Sequence, residues 1–525
     1  MNKQLWELYK ESKRGKDCIA LFSLDTDSYE SVVKIAEFLS QPQFGNNELN
    51  GSNINWWIDV FLCNIQERNL KPTIWTRESF AQLVDDLDIF LPIENENGAV
   101  TFDQSESGTL LKKNRFRDKA SFTHCFSLAL YYTETDFKFK PLLLPYRFDI
   151  FQKNCDALGI DLPDIPRSNN YKEYCLYYWD INAVLNEFQS ENKLSDEELC
   201  ACIYDFSMLL YEESSTIQMP KPTNVWFTGG AGKEDFALLD SLGQDTGDNK
   251  SCMWACNEKT RRGDIIVMYC KTPRSYIHSI WRASSNGIFN PFDCYHCRTN
   301  LCDGILTPPI SIKDLKNDKH MSKIPIVRSN LQGLNGVELS AKDYSELLRM
   351  IEEKGGDITQ YPKLFEGGSI DFGEIKVEKN VEENLLIPIL QRLGYKESDW
   401  TRQLALKAGR KEKAIPDFVF FPQGERHFEN APMVIEAKFD MSSMQELQNA
   451  FKQGLSYARL LHASYMGVCD KERFILYKIN KNGFTDSNMP IFENHWVTIY
   501  SDNGVGAELN HLIGREAIVK ILSSY

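Results

Sequence analysis

The sequence of 525 residues has no apolar run approaching the ~20 residues that span a bilayer, so no membrane segment is expected. It lacks a Gly-x-x-x-x-Gly-Lys-Ser/Thr motif, so nucleotide hydrolysis is not expected either. No signal peptide is expected, because the basic Lys13, Arg14 and Lys16 precede only a short apolar run. The 14 cysteines are scattered without a disulfide framework. These absences together predict a cytoplasmic protein.

One cysteine pair has the spacing of half a zinc site. Cys294 and Cys297 form a Cys-x-x-Cys motif, but a structural zinc ion normally takes four ligands in paired spacing. Only Cys302, or the distant Cys252 and Cys256, could complete such a set. Unliganded cysteines are therefore the prediction.

The net charge of −15 is unevenly distributed. Residues 1–220 hold 21 Lys and Arg against 35 Asp and Glu, whereas residues 251–350 hold 14 against 9. A locally basic face can still bind phosphates on a chain that is acidic overall. Nucleic acid therefore remains a possible partner for the later part of the chain.

Residues 1–213 read as mainly helical and contain no catalytic constellation. Expected helices cover residues 54–66 and 196–211, and the second starts with a capping box formed by Ser195 and Glu198. We assign this acidic region to assembly or regulation, in which it would bind a partner protein.

Two short apolar runs near the C-terminus carry charged residues. The runs begin at Asp417 and at Met433, and turn-forming residues separate them, so a β-hairpin is expected. Strand periodicity places Glu436 and Lys438 on one face of the sheet, and Asp417, at the start of the neighbouring strand, is expected on the same face. Buried charges are costly unless they are paired or bind a metal, and carboxylate oxygens suit Mg²⁺. An exposed cross-strand ion pair is the plainer alternative for a lone Glu-x-Lys.

The pattern Pro416-Asp417, a gap and then Glu436-Ala437-Lys438 resembles the PD-(D/E)xK nuclease superfamily, specifically the nuclease domain of type I restriction enzyme motor subunits. A helix ending near Gly394 and a Gln453-xxx-Tyr457 pair on a later helix extend the resemblance. The resemblance implies Mg²⁺ or Mn²⁺ as cofactor. It also implies that an acidic residue on the helix before Gly394 assists metal binding. Glu383 is the choice for this residue, and Glu378 and Glu382 are alternatives. The catalytic residues would be Asp417, Glu436, Lys438, Gln453 and Glu383, and the metal ligands Asp417, Glu436, Ala437 and Glu383.

Residues 225–360 alternate short strands and turns, as expected for a small β-barrel. The strand Ile265–Tyr269, a next strand over 277–283 and a helix over 341–353 resemble the EVE branch of the PUA-like fold. That resemblance implies binding of nucleic acid, with a flipped modified base held by aromatic side chains. Such a pocket would be lined by Trp226, Trp254, Tyr269 and Trp281, although a single aromatic residue in such a segment is more often part of the core.

The sequence thus predicts a multidomain α+β protein with three parts. A helical region over 1–213 precedes a PUA-like β-barrel over 225–360 and an α/β restriction-endonuclease-like mixed sheet over 375–525, which includes a strand over 496–500 and a final helix from about Gly514. The expected function is a metal-dependent DNA endonuclease of the modification-dependent restriction type, used in anti-phage defence and acting as a homodimer. An RNA-directed nuclease and a non-catalytic nucleic-acid-binding or assembly protein are the alternatives.

Overall fold

The computed structural model describes most of the later chain and separate parts of the earlier chain. Described residues are 3–23, 34–35, 38–39, 71–88, 93–94, 100–102, 111–113, 130, 137–140, 144–166, 171–211, 219–241, 252–291, 297–365, 370–407 and 413–522. The expected helix over 54–66 and Cys294 of the Cys-x-x-Cys motif lie outside this set. The chain divides into two compact units, Met1–Glu212 with Phe289–His296, and Glu213–Ile288 with Cys297–Tyr525.

The first unit contains helices and one small sheet. Its helices are α1 (Lys3–Glu11), α2 (Lys13–Phe22), α3 (Arg77–Asp88), α4 (Leu144–Leu158), α5 (Tyr171–Asn192) and α6 (Asp196–Tyr204). The strands β1 (Ile93–Glu94), β2 (Val100–Phe102) and β3 (Leu111–Lys113) form an antiparallel sheet. The predicted capping box of α6 is confirmed, because the Ser195 hydroxyl accepts from the Glu198 N–H and the Glu198 carboxylate accepts from the Ser195 N–H.

The second unit begins with a curled mixed sheet. Its elements are β4 (Val225–Gly230), α7 (Lys233–Asp240), β5 (Cys252–Ala255), β6 (Ile265–Cys270), β7 (Tyr276–Ala283), β8 (Ile288–Phe289), β9 (Cys297–Ser311), α8 (Ile312–Asn317), α9 (Pro325–Arg328), β10 (Val337–Leu339) and α10 (Ala341–Glu353). The strand order is β10-β4-β6-β7-β9-β5, with β4 and β6 parallel. The Thr228 hydroxyl of β4 donates to the Ala255 carbonyl of β5 at 3.1 Å. This bond joins β4 to the far end of the strand path, so the sheet forms a half-barrel.

A six-stranded mixed sheet follows. The elements of this part of the chain are α11 (Glu378–Val381), α12 (Ile387–Arg392), β11 (Trp400–Arg402), β12 (Leu406–Lys407), β13 (Lys413–Ala414), β14 (Phe418–Phe420), β15 (Met433–Ala437), α13 (Met444–Leu460), β16 (Tyr465–Cys469), β17 (Arg473–Lys478), β18 (Phe492–His495), α14 (Trp496–Ser501), α15 (Asn503–Ile513) and α16 (Arg515–Leu522). Strands β12 and β13 pair with each other in a separate two-stranded sheet. The order is β11-β14-β15-β16-β17-β18, and β15 pairs parallel with β16. The predicted pairing of β14 with β15 is confirmed as antiparallel.

Each face of this sheet is covered by apolar side chains. Alternate residues of β14 and β15 enter two different cores, one built on Phe418 and Ile435 and the other on Val419 and Val434. The second core packs against α13. Because both faces are covered, a charged side chain in these strands is accommodated only near a strand end.

The expected strand over 496–500 is wrong, because these residues form α14. The side chains of Trp496 and Ile499, three residues apart, both enter the core, and the Trp496 indole N–H donates to the Asp470 carbonyl at 2.7 Å. Helical spacing is what buries both side chains together, and this packing outweighs the strand preference of the β-branched residues. None of the helices in the described part of the chain combines the length and apolar character needed to cross a bilayer.

Candidate functional site

The carboxylates of Asp417 and Glu436 meet where β14 and β15 run side by side. Phe418 pairs with Ile435, and the next position along each chain brings Asp417 opposite Glu436. The Asp417 carboxylate accepts from the Ala437 N–H at 2.9 Å, and the Asp417 N–H donates to the Glu436 carboxylate at 3.5 Å. The hairpin register, which the apolar pattern of both strands sets, therefore places two carboxylates together.

Lys438 pairs with Glu436 on the same side of β15. The Lys438 ammonium donates to Glu436 Oε1 at 2.7 Å, and only 1% of the Glu436 side chain is exposed. Burial and the nearby Asp417 charge raise the pKa of Glu436 to about 7, although Lys438 acts in the opposite direction. Burial acts to lower the pKa of Lys438, but the Glu436 charge and hydrogen bond outweigh it and the pKa is raised. Glu436 thus titrates near neutral pH beside a charged lysine.

Two further carboxylates come from the helical segment that begins at α11. Carboxylate oxygens of Glu378, Glu382 and Asp417 lie within 4.8 Å of one another, the one group of this kind among the described residues. Burial, followed by the charge of Asp417, raises the pKa of Glu378, while Lys438 lowers it. These side chains come from two separate stretches of sequence and converge beside the Glu436–Lys438 pair.

A wide helical turn orients Glu382. Residues Glu382–Leu386 form a π-helical segment, and the Ile387 N–H donates to the Glu382 carbonyl, five residues back. Pro388, the next residue, has no N–H and its ring would clash with the carbonyl four residues earlier. A π turn relieves this clash and changes the direction of the side chains that precede it. We therefore expect the position of Glu382 to depend on Pro388.

Arg402 lies at the edge of this group. Its guanidinium on β11 forms an ion pair with Glu382 and stands over the ring of Phe418, 5.2 Å from the ring centre. Glu382 is buried, whereas Arg402 is 38% exposed. The site thus contains four carboxylates and two cations, of which Arg402 pairs with Glu382 and Lys438 pairs with Glu436.

The donor set fits a divalent cation with a preference for oxygen ligands. Three carboxylates within 4.8 Å of one another can each offer an oxygen, as Mg²⁺ and Mn²⁺ require. Holding ionised carboxylates this close without a cation is electrostatically unfavourable. Glu378, Glu382 and Asp417 are therefore the residues best placed to hold an ion, with Glu436 adjacent to Asp417.

The structure differs from the sequence-based ligand set at the helix. Glu383, the expected helix carboxylate, is 44% exposed and pairs with Lys379 at 3.5 Å, outside the carboxylate group. Adjacent residues on a helix point in different directions, so Glu382 and Glu383 do not share a face. Ala437, expected among the ligands, contributes its N–H to Asp417. Sequence reasoning kept Glu378 and Glu382 as alternatives but missed Arg402, which no motif marks.

Gln453 lies on α13, which packs against the six-stranded sheet. Its side-chain amide donates to the Tyr457 hydroxyl at 2.9 Å, so the predicted neighbouring pair on one helix face is confirmed. Among the hydrogen bonds of the described residues, none joins Gln453 to Asp417, Glu436 or Lys438. Its expected role in supporting the site remains a prediction.

The four aromatic residues expected to line a base pocket are all buried and occupy two separate cores. Trp226, Trp254 and Trp281 pack together on one face of the curled sheet, whereas Tyr269 lies in the core on the other face. The Trp226 indole N–H donates to Asp264 at 2.9 Å. Successive side chains of a strand point to opposite faces of the sheet, so Tyr269 on β6 can face away from the core that holds the three tryptophans. These residues do not line one shared pocket in this conformation.

Two of the cysteines considered as zinc ligands are neighbours. The sulfur atoms of Cys256 and Cys297 lie 3.6 Å apart in a buried position. The hydrogen bond between them and their burial raise the pKa of Cys297. Cys302 instead lies next to Asp303.

Comparison with known proteins adds little to this geometry. No family model matches the chain, and no curated protein matches it. The NMR structure of Rpa0253 from Rhodopseudomonas palustris is 13% identical, with a TM-score of 0.21, over 25% of this chain and 93% of that chain. The crystal structure of Atu2648 from Agrobacterium tumefaciens is 14% identical, with a TM-score of 0.22, over 27% of this chain and 100% of that chain. Similarities this weak carry no argument about fold or function.

Proposed function

We propose that this chain is a metal-dependent endonuclease that acts on DNA, with its catalytic centre at Asp417. The observation that carries the proposal is the convergence of Glu378, Glu382 and Asp417 beside the Glu436–Lys438 pair. Clustered carboxylates with an adjacent lysine suit phosphodiester hydrolysis, in which a divalent ion activates water and offsets charge on the phosphate. We further propose Mg²⁺ or Mn²⁺ as the ion.

The chain's own residues supply the remaining chemistry. Glu436, whose pKa is raised to about 7, can accept a proton near neutral pH. The Lys438 ammonium, 2.7 Å from Glu436, can orient the attacking water or donate to a phosphate oxygen. Asp417 is held in place by the Ala437 N–H, so its carboxylate is pre-oriented toward the helix carboxylates.

The curled sheet is proposed to bind nucleic acid and to restrict cleavage to modified DNA. The excess of Lys and Arg over residues 251–350 supports this role, whereas the buried aromatic residues do not. Double-strand cleavage by one centre per chain calls for two copies, so we propose a homodimer in the cytoplasm. The acidic first region is proposed to bind a partner protein.

Cleavage of matched substrates tests the proposal. The purified protein would be incubated with Mg²⁺ or EDTA and duplex DNA, either unmodified or carrying methylated, hydroxymethylated or glucosylated cytosine, and with RNA of the same sequence. Mg²⁺-dependent cleavage of modified DNA alone is expected. Equal cleavage of all duplexes would remove the modified-base role, cleavage of RNA alone would assign the enzyme to RNA, and no cleavage of any substrate would contradict the nuclease.

A further inference from the structure

Glu382 has two competing partners at the candidate site. Its carboxylate belongs to the group that can hold a divalent ion, and it also forms an ion pair with the Arg402 guanidinium. A divalent ion close to Glu382 would repel a guanidinium bonded to the same carboxylate. The two interactions therefore oppose each other.

The surroundings of Arg402 allow its guanidinium to move away from Glu382 while it stays over the ring of Phe418. Its side chain is 38% exposed, so the guanidinium has solvent-facing space to move into. The ring of Phe418 lies beneath it and can keep it stacked during a small shift. A guanidinium carries five donors in a planar arrangement that matches the oxygens of a phosphate.

We propose that Arg402 is a displaceable counter-ion, which pairs with Glu382 before a divalent ion binds and then binds a phosphate of the substrate. This inference rests on the proposed nuclease function for its second half only. Arg402 would then position the phosphate backbone of the substrate next to Asp417. No proton is transferred and no covalent bond is formed or broken at its guanidinium. The exchange links metal binding to substrate binding, because each favours the same position of Arg402.

The test measures Mn²⁺ binding to the full chain by calorimetry, without substrate, in wild type, R402Q and R402K. A charged hydrogen bond contributes enough that its loss should tighten Mn²⁺ binding by roughly tenfold in R402Q. R402K keeps the charge but loses the planar fork, so an intermediate affinity is expected. Binding of a duplex oligonucleotide in Ca²⁺ should weaken in R402Q, and the slope of log affinity against log salt should fall by about one.

R515Q is the matched control. Arg515 is also 38% exposed, pairs with the buried Asp399 at 2.7 Å and lies over an aromatic ring, that of Phe421 at 5.8 Å. Its partner is not one of the clustered carboxylates. R515Q should therefore leave Mn²⁺ affinity unchanged, although it loses an equivalent ion pair.

The outcomes separate this inference from the proposed function. Tighter Mn²⁺ binding with weaker DNA binding in R402Q alone would support the exchange, since misfolding would weaken both. Mn²⁺ binding no tighter in R402Q than in wild type would overturn it, even if the wild type cleaves DNA. If the wild type cleaves no substrate but R402Q binds Mn²⁺ more tightly than the wild type does, the role of Arg402 as a counter-ion is supported. Its proposed role in binding a substrate phosphate is then rejected.

Discussion

Replacing Asp417 with asparagine should stabilise the metal-free protein at pH 8, although it alters the candidate centre. Glu436 is 1% exposed, and burial together with the Asp417 charge raises its pKa from 4.5 to about 7. A folded-state pKa raised in this way favours the folded protein below about pH 4.5, and this contribution is lost as pH rises through about 7. The whole shift corresponds to about 3 kcal/mol once Glu436 is ionised.

D417N removes only the part of the Glu436 pKa shift that the Asp417 charge causes. Burial is the larger cause and the Asp417 charge the second, so D417N should recover part of the effect, on the order of 1 kcal/mol. The new amide oxygen can still accept from the Ala437 N–H, so the local geometry is retained. Thermal unfolding with a chelator should show a melting temperature about 2 to 4 °C higher at pH 8 and little changed at pH 5.

D440N provides the control of opposite sign. Burial acts to raise the pKa of Asp440, but hydrogen bonds from Lys471 and Ser442 outweigh it and the pKa is lowered. A lowered pKa stabilises the fold above the unfolded-state value, so D440N should be less stable than wild type at pH 8. A D417N protein that is less stable than wild type at pH 8, or shifted equally at pH 5 and pH 8, would show that the Asp417 charge does not destabilise ionised Glu436.

Three further predictions concern the helix carboxylates and the curled sheet. E378Q should weaken Mn²⁺ binding by roughly tenfold or more in calorimetry, whereas E383Q should leave it unchanged, and equal effects would reject the assigned ligand set. P388A removes the clash that favours the π turn, so Glu382 should turn away and Mn²⁺ affinity should fall while the helix becomes more stable; unchanged affinity would contradict this cause. W226F loses a buried hydrogen bond and should lower the free energy of unfolding by about 1 to 3 kcal/mol, and a change in DNA affinity without loss of stability would instead indicate a binding role.

Local sequence signals were sufficient for elements whose pattern decides their structure. The apolar alternation of β14 and β15 and the turn residues between them predicted the hairpin that brings Asp417 opposite Glu436. The predicted helix over 341–353 is confirmed, with a capping box formed by Ser340 and Asp343. In these cases the hydrogen bonds lie at the start of one helix or between two strands that follow one another in the sequence.

Features set by tertiary contacts could not be predicted in the same way. Glu378, Glu382 and Glu383 are near neighbours in sequence, and only the folded helix, with its π turn over Glu382–Leu386, shows which of them lie beside Asp417. Arg402 becomes part of the site through the pairing of β11 with β14, which joins distant residues. Aromatic residues such as Tyr269 carry no local mark that separates a pocket from a core.

The rate of DNA cleavage by K438A, compared with wild type in the same Mg²⁺ buffer, tests the central claim most directly. Lys438 contacts Glu436 at 2.7 Å and is the cation best placed to act on the attacking water. Loss of a positioned donor of this kind costs about 100-fold or more in rate. Wild type should cleave DNA only with Mg²⁺, and a folded K438A protein should lose at least this factor in rate. Equal rates in the two proteins, or no cleavage by wild type, would contradict it.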